Sequence, residues 1–268
     1  MNLVIGSTSQ LAQYFPEDYI KISSRNIDFD YLKNNQWDSV YITFAEQRIY
    51  DPDIDYLTPN YFYTRQIAES LLENSKKIVC YTSCELWNTL TGFIRLDTLP
   101  QFSPIVNEYT ISKMLLWHKL KVMRYSNPLY NKIVLAHPFY FNSTYRSEYF
   151  LFGKIFKSII NKEKIEVGNL DFYRDMVHTK FVVEKSIGAT KDIMIGSGKL
   201  FHIRTFVKDL YKLNDMNFSD YVKDHSNLPM KKQDKLIMAD VPWDYTYEDL
   251  LKDTQEDLKQ AMEKRWIR

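Results

Sequence analysis

The sequence predicts an α/β fold: a doubly wound parallel sheet with a small C-terminal region. Two observations predict it. Short apolar strand runs alternate with helical patterns through the first half of the chain. Residues suited to ligand contact also fall at the carboxyl ends of successive strands, namely Gly6, Ser23-Ser24-Arg25, Thr43-Phe44-Ala45, Ser83 and Pro138, which is where open α/β sheets bind ligands. Together these point to the Rossmann type of dinucleotide-binding fold.

In order along the chain, strands are expected near 2–5, 19–23, 39–44, 77–82 and 132–136, with helices near 9–15, 60–74 and 107–126 between them. The first strand ends in Gly6, and Ser7-Thr8-Ser9-Gln10-Leu11-Ala12 should open a helix. That order would turn the backbone N–H groups of Ser9, Gln10 and Leu11 toward a pyrophosphate. An ordinary strand-to-helix turn is the alternative. The expected organisation is a dinucleotide-binding core over 1–145, then a substrate-binding region and a C-terminal helix over 146–268, forming one structural unit. Gly168 and Gly196-Ser197-Gly198 break this second part, and 246–268 reads as a solvated amphipathic helix.

Composition narrows the function. With 35 basic against 34 acidic residues the chain has no global field for nucleic acid or an anionic membrane. Cys80 and Cys84 are the two cysteines, too few for a zinc site or a disulfide framework, so no metal is expected and the setting should be reducing and cytoplasmic. No apolar run approaches the ~20 residues of a membrane span, and the first residues lead into a strand rather than a signal peptide.

Tyr109 and Lys113 stand four apart on the 107–126 helix, on one face. The ammonium can lower the phenol's pKa and hold a cofactor ribose, while Ser83 polarises a substrate oxygen; Tyr109 is then the acid or base of a hydride transfer. A surface Tyr–Lys pair is the plain alternative. Arg25 follows the second strand, with no acid before Asp28. An arginine there suits the 2′-phosphate of NADP, where an acid would favour NAD.

The order Gly6-x-x-Ser9-x-x-Ala12, Ser83, Tyr109-x-x-x-Lys113 resembles extended short-chain dehydrogenase/reductases that modify nucleotide sugars, the epimerase/dehydratase group, over most of the chain to about residue 210. Three segments are similar to GDP-mannose 4,6-dehydratases: residues 167–180 (Val-Gly-Asn-Leu-Asp-Phe-Tyr-Arg-Asp-Met-Val-His-Thr-Lys), Ser83-Cys84-Glu85-Leu86-Trp87 and Arg146-Ser147-Glu148-Tyr149-Phe150. The resemblance implies that Asp28 borders the adenine and that Glu85, two residues past Ser83, can remove a C5 proton. It also implies that Arg146 and Arg174 meet the substrate diphosphate, with Asn169 and His178 lining the sugar pocket. Ser9 and Ala12 depart from its glycines, and Phe181 stands where an aspartate follows the His-x-Lys.

These readings lead to an NADP-dependent oxidoreductase, with NAD as the alternative cofactor, that reduces a GDP-linked 4-keto-6-deoxy sugar in surface-polysaccharide biosynthesis. A 4,6-dehydratase or epimerase using Glu85 is the second reading, and a non-catalytic nucleotide-sugar or NADP-binding protein the third. A homodimer is expected on the 107–126 helix, because Ile111, Met114, Leu115, Trp117, Leu120, Val122 and Met123 are apolar around most of its circumference.

Overall fold

Six short apolar runs form the parallel sheet that the alternation predicts. The computed structural model describes residues 1–48, 53–101, 107–225 and 236–266. The chain divides into two units: Met1–Trp87 with Leu96–Pro138 and Val183–Ile195, and Asn88–Arg95 with Phe139–Val182 and Gly196–Arg268.

The first unit holds strands β1 (Asn2–Ile5), β2 (Ile20–Ile22), β3 (Trp37–Ile42), β4 (Ser75–Tyr81), β5 (Ile133–Pro138) and β6 (Ile193–Ile195), in the order β2-β1-β3-β4-β5-β6 and all parallel. β1 lies where the strand order reverses, and one strand rather than two lies beyond it. Both faces are covered, as a parallel sheet requires. Leu3, Ile5, Val40, Ile42, Ile78, Cys80, Ile133 and Leu135 form one core with Leu32, Ile67, Ala68, Leu116 and Leu120, while Val4, Tyr41, Val79 and Val134 are buried on alternate positions. The first five strands lie where the sequence places them. β6 (Ile193–Ile195) was not expected.

The helices depart further. α1 (Phe29–Asn34) forms because the carboxylate of Asp28 caps it, accepting from the N–H groups of Asp30 and Tyr31 at 2.9 and 3.0 Å. No α-helix spans 9–15; a single 3-10 turn, Ala12–Tyr14, stands there. Ser9 N–H closes a turn on Gly6 O and its hydroxyl takes the Ala12 N–H, so side-chain and turn bonds replace the helical ladder before Pro16 forces Phe15 into extended backbone. The expected 60–74 helix is a π-helical turn, Thr58–Tyr63, followed by α2 (Thr64–Ser70). α3 (Glu108–Ser126) matches its expectation, with Asn107 as cap accepting the Thr110 N–H at 2.9 Å. Leu116 and Leu120 on it are fully buried in the unit's own core; of the apolar positions proposed for pairing, Leu115 and Val122 are the exposed ones.

The second unit contains α4 (Leu151–Asn161), the first four residues of α5 (Thr179–Gly188), α6 (Ile203–Leu213), α7 (Phe218–Tyr221) and α8 (Tyr247–Trp266). Short two-stranded pairs accompany them, among them Tyr140–Asn142 beside Met176–His178. α8 is more than a solvated helix. Leu250, Thr254, Asp257 and Leu258 form a buried stripe along it.

Candidate active site

The Asn107 cap sets the phase of α3, and on one face Tyr109, Lys113, Leu116 and Leu120 follow one another, all buried. Two polar residues therefore occupy the first turns of a stripe that continues as core. Lys113 is 2% exposed. Its Nζ donates to the carbonyl of Tyr81 at 3.0 Å, which ties α3 to the last residue of β4. Burial pushes the ammonium down to about 8.

Two residues past β4 comes Ser83, also buried. Its Oγ accepts the Glu85 N–H at 3.2 Å. Glu85 is not on a strand, as the alternation argument assumed; it lies in the 3-10 turn Cys84–Trp87, against which α3 packs. The carboxylate is nevertheless buried beside Ser83 in sequence, because the turn closes on the Ser83 hydroxyl. Tyr109, Lys113, Ser83 and Glu85 thus belong to one region of the first unit, built by α3 and the end of β4.

The expected cofactor residues lie in the same unit. Gly6 adopts φ 106, and a Cβ there would stand 2.9 Å from both Phe44 N and Thr43 Oγ1, so glycine is required. Ser9, at a position where the resembled turn has glycine, folds its hydroxyl inward onto Thr43 Oγ1 at 2.8 Å. Its side chain therefore leaves the outer face of the turn to backbone. Gln10 and Leu11 are buried, Leu11 as core. Arg25 is exposed beyond β2, its N–H held by Ser23 Oγ at 3.0 Å, and Asp28 is exposed while capping α1. Phe44 stacks on Tyr63 at 5.8 Å between ring centres, Ala45 is half-buried, and Pro138 is buried at the end of β5.

Asn60, fully buried, fixes the segment that carries Phe44 and Ala45. Its amide accepts from Glu46 N–H at 2.8 Å, donates to Glu46 O at 2.9 Å and reaches Ser112 Oγ on α3 at 3.1 Å. Sequence reasoning missed it. Its one signal is a lone amide inside the aromatic run Tyr56 to Tyr63.

The four expected substrate residues lie in the second unit. Arg174 is 5% exposed, held between the rings of Phe172 at 4.7 Å and Tyr140 at 5.0 Å, and donates to Tyr173 O. Among the described residues no carboxylate pairs with it. Arg146 stacks over Phe150 at 3.8 Å, and Asn169 closes a turn by accepting the Asp171 N–H. His178 is buried, its Nε2 3.2 Å from Asp257 Oδ2 on α8; the same oxygen accepts from Thr144 N–H. Asp257 thus ties α8 to both His178 and Thr144, a role that no local motif announces. Phe181, in place of the aspartate, packs on Tyr245 at 4.4 Å.

No protein-family model matches the chain, and no curated protein matches it in sequence. Solved structures match over nearly its full length. MoeE5 in complex with UDP-glucose and NAD is 14% identical, with a TM-score of 0.76 over 97% of this chain and 99% of that one. RMD from Pseudomonas aeruginosa complexed with NADPH is 14% identical, with a TM-score of 0.73 over 97% and 99%. The dTDP-glucose 4,6-dehydratase DesIV from Streptomyces venezuelae, a double mutant with NAD and DAU bound, is 13% identical, with a TM-score of 0.76 over 97% of each chain. The chain has their Rossmann-type fold. Among the described residues no helix is long and apolar enough to cross a membrane, and no cluster of His, Cys, Asp and Glu could hold a metal ion.

Proposed function

We propose that the chain is an NADP-dependent oxidoreductase of nucleotide sugars, most specifically a reductase of a GDP-linked 4-keto-6-deoxy sugar in surface-polysaccharide biosynthesis, working in the cytoplasm. The observation that carries this reading is Lys113, a buried ammonium with its pKa brought down, on the face of α3 that also bears Tyr109 and tied to the strand that leads to Ser83. A dinucleotide suits the residues present, because Gly6 keeps the first turn tight, Ser9 turns inward and Lys113 retains N–H donors for a ribose. Gly6, Ser9, Gln10, Leu11, Phe44, Ala45 and Pro138 would line its path, with Asp28 at the adenine and Arg25 at the 2′-phosphate. When bound, NADPH supplies the hydride that reduces C4. The side chains do the rest: Ser83 donates a hydrogen bond to the C4 oxygen, Tyr109 gives that oxygen its proton as the alkoxide forms, and the Lys113 ammonium eases the loss of the phenolic proton. Arg174 and Arg146 would take the diphosphate, with Asn169 and His178 beside the sugar.

Glu85 favours the second reading, a 4,6-dehydratase or epimerase, because its carboxylate is buried next to the Ser83 turn. Incubation separates the two. A 4-ketoreductase consumes NADPH with a 4-keto-6-deoxy substrate, and Glu85→Gln keeps its rate within about tenfold, since only a neighbouring contact changes. Formation of a 4-keto-6-deoxy product from GDP-mannose without added reductant, abolished by Glu85→Gln, would replace the reductase by the dehydratase. Weakening of NADPH well beyond NADH in Arg25→Asp tests the cofactor.

A homodimer across α3 accompanies this reading, supported by exposed Leu115 and Val122 and by Phe62, half exposed on the adjoining π-helical turn. Leu115→Glu with Val122→Glu should give a folded monomer by sedimentation; a parent already monomeric at micromolar concentration would refute it.

A further inference from the structure

The tripeptide that ends in Ser83 is held at each residue by a different side chain or amide. Lys113 holds the carbonyl of Tyr81, and the Glu85 N–H holds the Ser83 hydroxyl. Between them Thr82 Oγ1 is in a short hydrogen bond with Nδ1 of His137 and lies 3.3 Å from Ala136 O. Either tautomer of the imidazole makes this bond, because the hydroxyl both donates and accepts. His137 is 1% exposed in β5, and its ring meets Trp87 edge-on at 5.3 Å and 73°. Trp87 closes the turn that contains Glu85, and its indole N–H donates to Thr98 O at 2.8 Å. The imidazole thus touches both ends of the Thr82–Trp87 segment, with Ser83 and Glu85 between its contacts.

We propose that His137 is a positioning residue for Ser83: through Thr82 and Trp87 it fixes the loop that aims the Ser83 hydroxyl. This rests on Ser83 acting as the donor to the substrate oxygen. Burial holds the imidazole down to about 4, so it stays neutral at working pH and acts through geometry rather than charge. A histidine fits where an apolar ring would not, because one nitrogen must bond a hydroxyl while the ring keeps its T-shaped contact with an indole.

Two variants separate the bond from the packing. His137→Phe keeps the aromatic contact and removes the hydrogen bond; His137→Asn keeps an amide near the position of Nδ1 and loses the ring. If the bond positions Ser83, His137→Phe lowers kcat about tenfold or more with KM within about threefold, and amide exchange across residues 83–85 quickens about tenfold. His137→Asn, though lower in Tm, keeps kcat and exchange within about threefold. Thr82→Val should follow the Phe variant and Thr82→Ser the parent. A larger loss of kcat in His137→Asn than in His137→Phe would overturn the proposal, since packing alone would then matter. Exchange needs no substrate. Unchanged exchange at 83–85 in both His137→Phe and Thr82→Val refutes the clamp outright, whereas quickened exchange in these variants of a parent that itself turns over no nucleotide sugar supports the clamp and places the failure in the functional reading.

Discussion

Lys113 in the first unit and Asp175 in the second are both charged groups taken out of water, and they are satisfied to opposite extents. Asp175 is fully buried and receives four hydrogen bonds, from Ser197 N–H at 2.6 Å, Ser197 Oγ at 2.8 Å, Gly198 N–H at 3.1 Å and Ala239 N–H at 2.8 Å. Burial pushes its carboxyl above the ordinary range while these donors oppose the rise. Gly196 leaves room for it, since a Cβ there would stand 2.7 Å from Asp175 Oδ2. Lys113 has three N–H donors and gives one bond, to Tyr81 O. A saturated buried charge builds framework, whereas one with spare donors is held ready for a partner. On this difference rests the proposed assignment of Lys113 to the site and of Asp175 to the framework.

The largest effect expected from this comparison is at Asp175. In Asp175→Asn one oxygen becomes an NH2 facing two N–H donors, so unfolding in urea should show a loss of about 3 kcal/mol. A loss below about 1 kcal/mol would break the comparison.

Next in size, Tyr109→Phe should lower turnover at least ~100-fold with the melting temperature close to that of the parent, because one hydroxyl and little apolar volume disappear. Activity within a few-fold of the parent would remove Tyr109 from its role.

Lys113→Met should act on stability in the sense opposite to Asp175→Asn. The folded pKa, about 8, lies below the unfolded value of 10.5, so between these the unfolded chain holds a proton the folded chain has shed. Stability then rises with pH through that window. The methionine variant should lack this rise and at pH 7 be more stable than the parent by roughly 2 kcal/mol, with turnover lost. A destabilised variant with the same slope would mean that Lys113 is framework after all.

Smallest is the acid limb set by Asp192. Burial alone would raise its carboxyl, but Arg124, Lys121 and the Leu135 N–H hold it well below the usual carboxylate range. A depressed folded pKa stabilises above the unfolded value, about 4, and that contribution is lost as pH falls further. Asp192→Asn should cost about 1.5 kcal/mol at pH 7, and its gap from the parent should narrow steadily as pH falls below the unfolded value, read from urea midpoints across pH.

The sequence by itself determined the parts that rest on local order. β1 to β5 follow from short apolar runs, α3 from the Asn107 cap and its period, and the meeting of Tyr109 with Lys113 on one face from helical spacing alone. Tertiary structure decided what depends on residues distant along the chain. Asp175 is satisfied by Ala239, 64 positions away, and Asp257 by His178 and Thr144, 79 and 113 positions away; no window of sequence contains both partners. The same holds where local signals misled. Residues 9–15 have a helical pattern, yet the Ser9 hydroxyl bonds Thr43, 34 positions on, and the helix is not made. Leu116 and Leu120 look like half of a surface stripe until the sheet covers them. Local propensity is worth tenths of a kilocalorie per residue, while a buried polar group left without its partner costs roughly 1–3 kcal/mol, so wherever the two disagree the distant partner prevails.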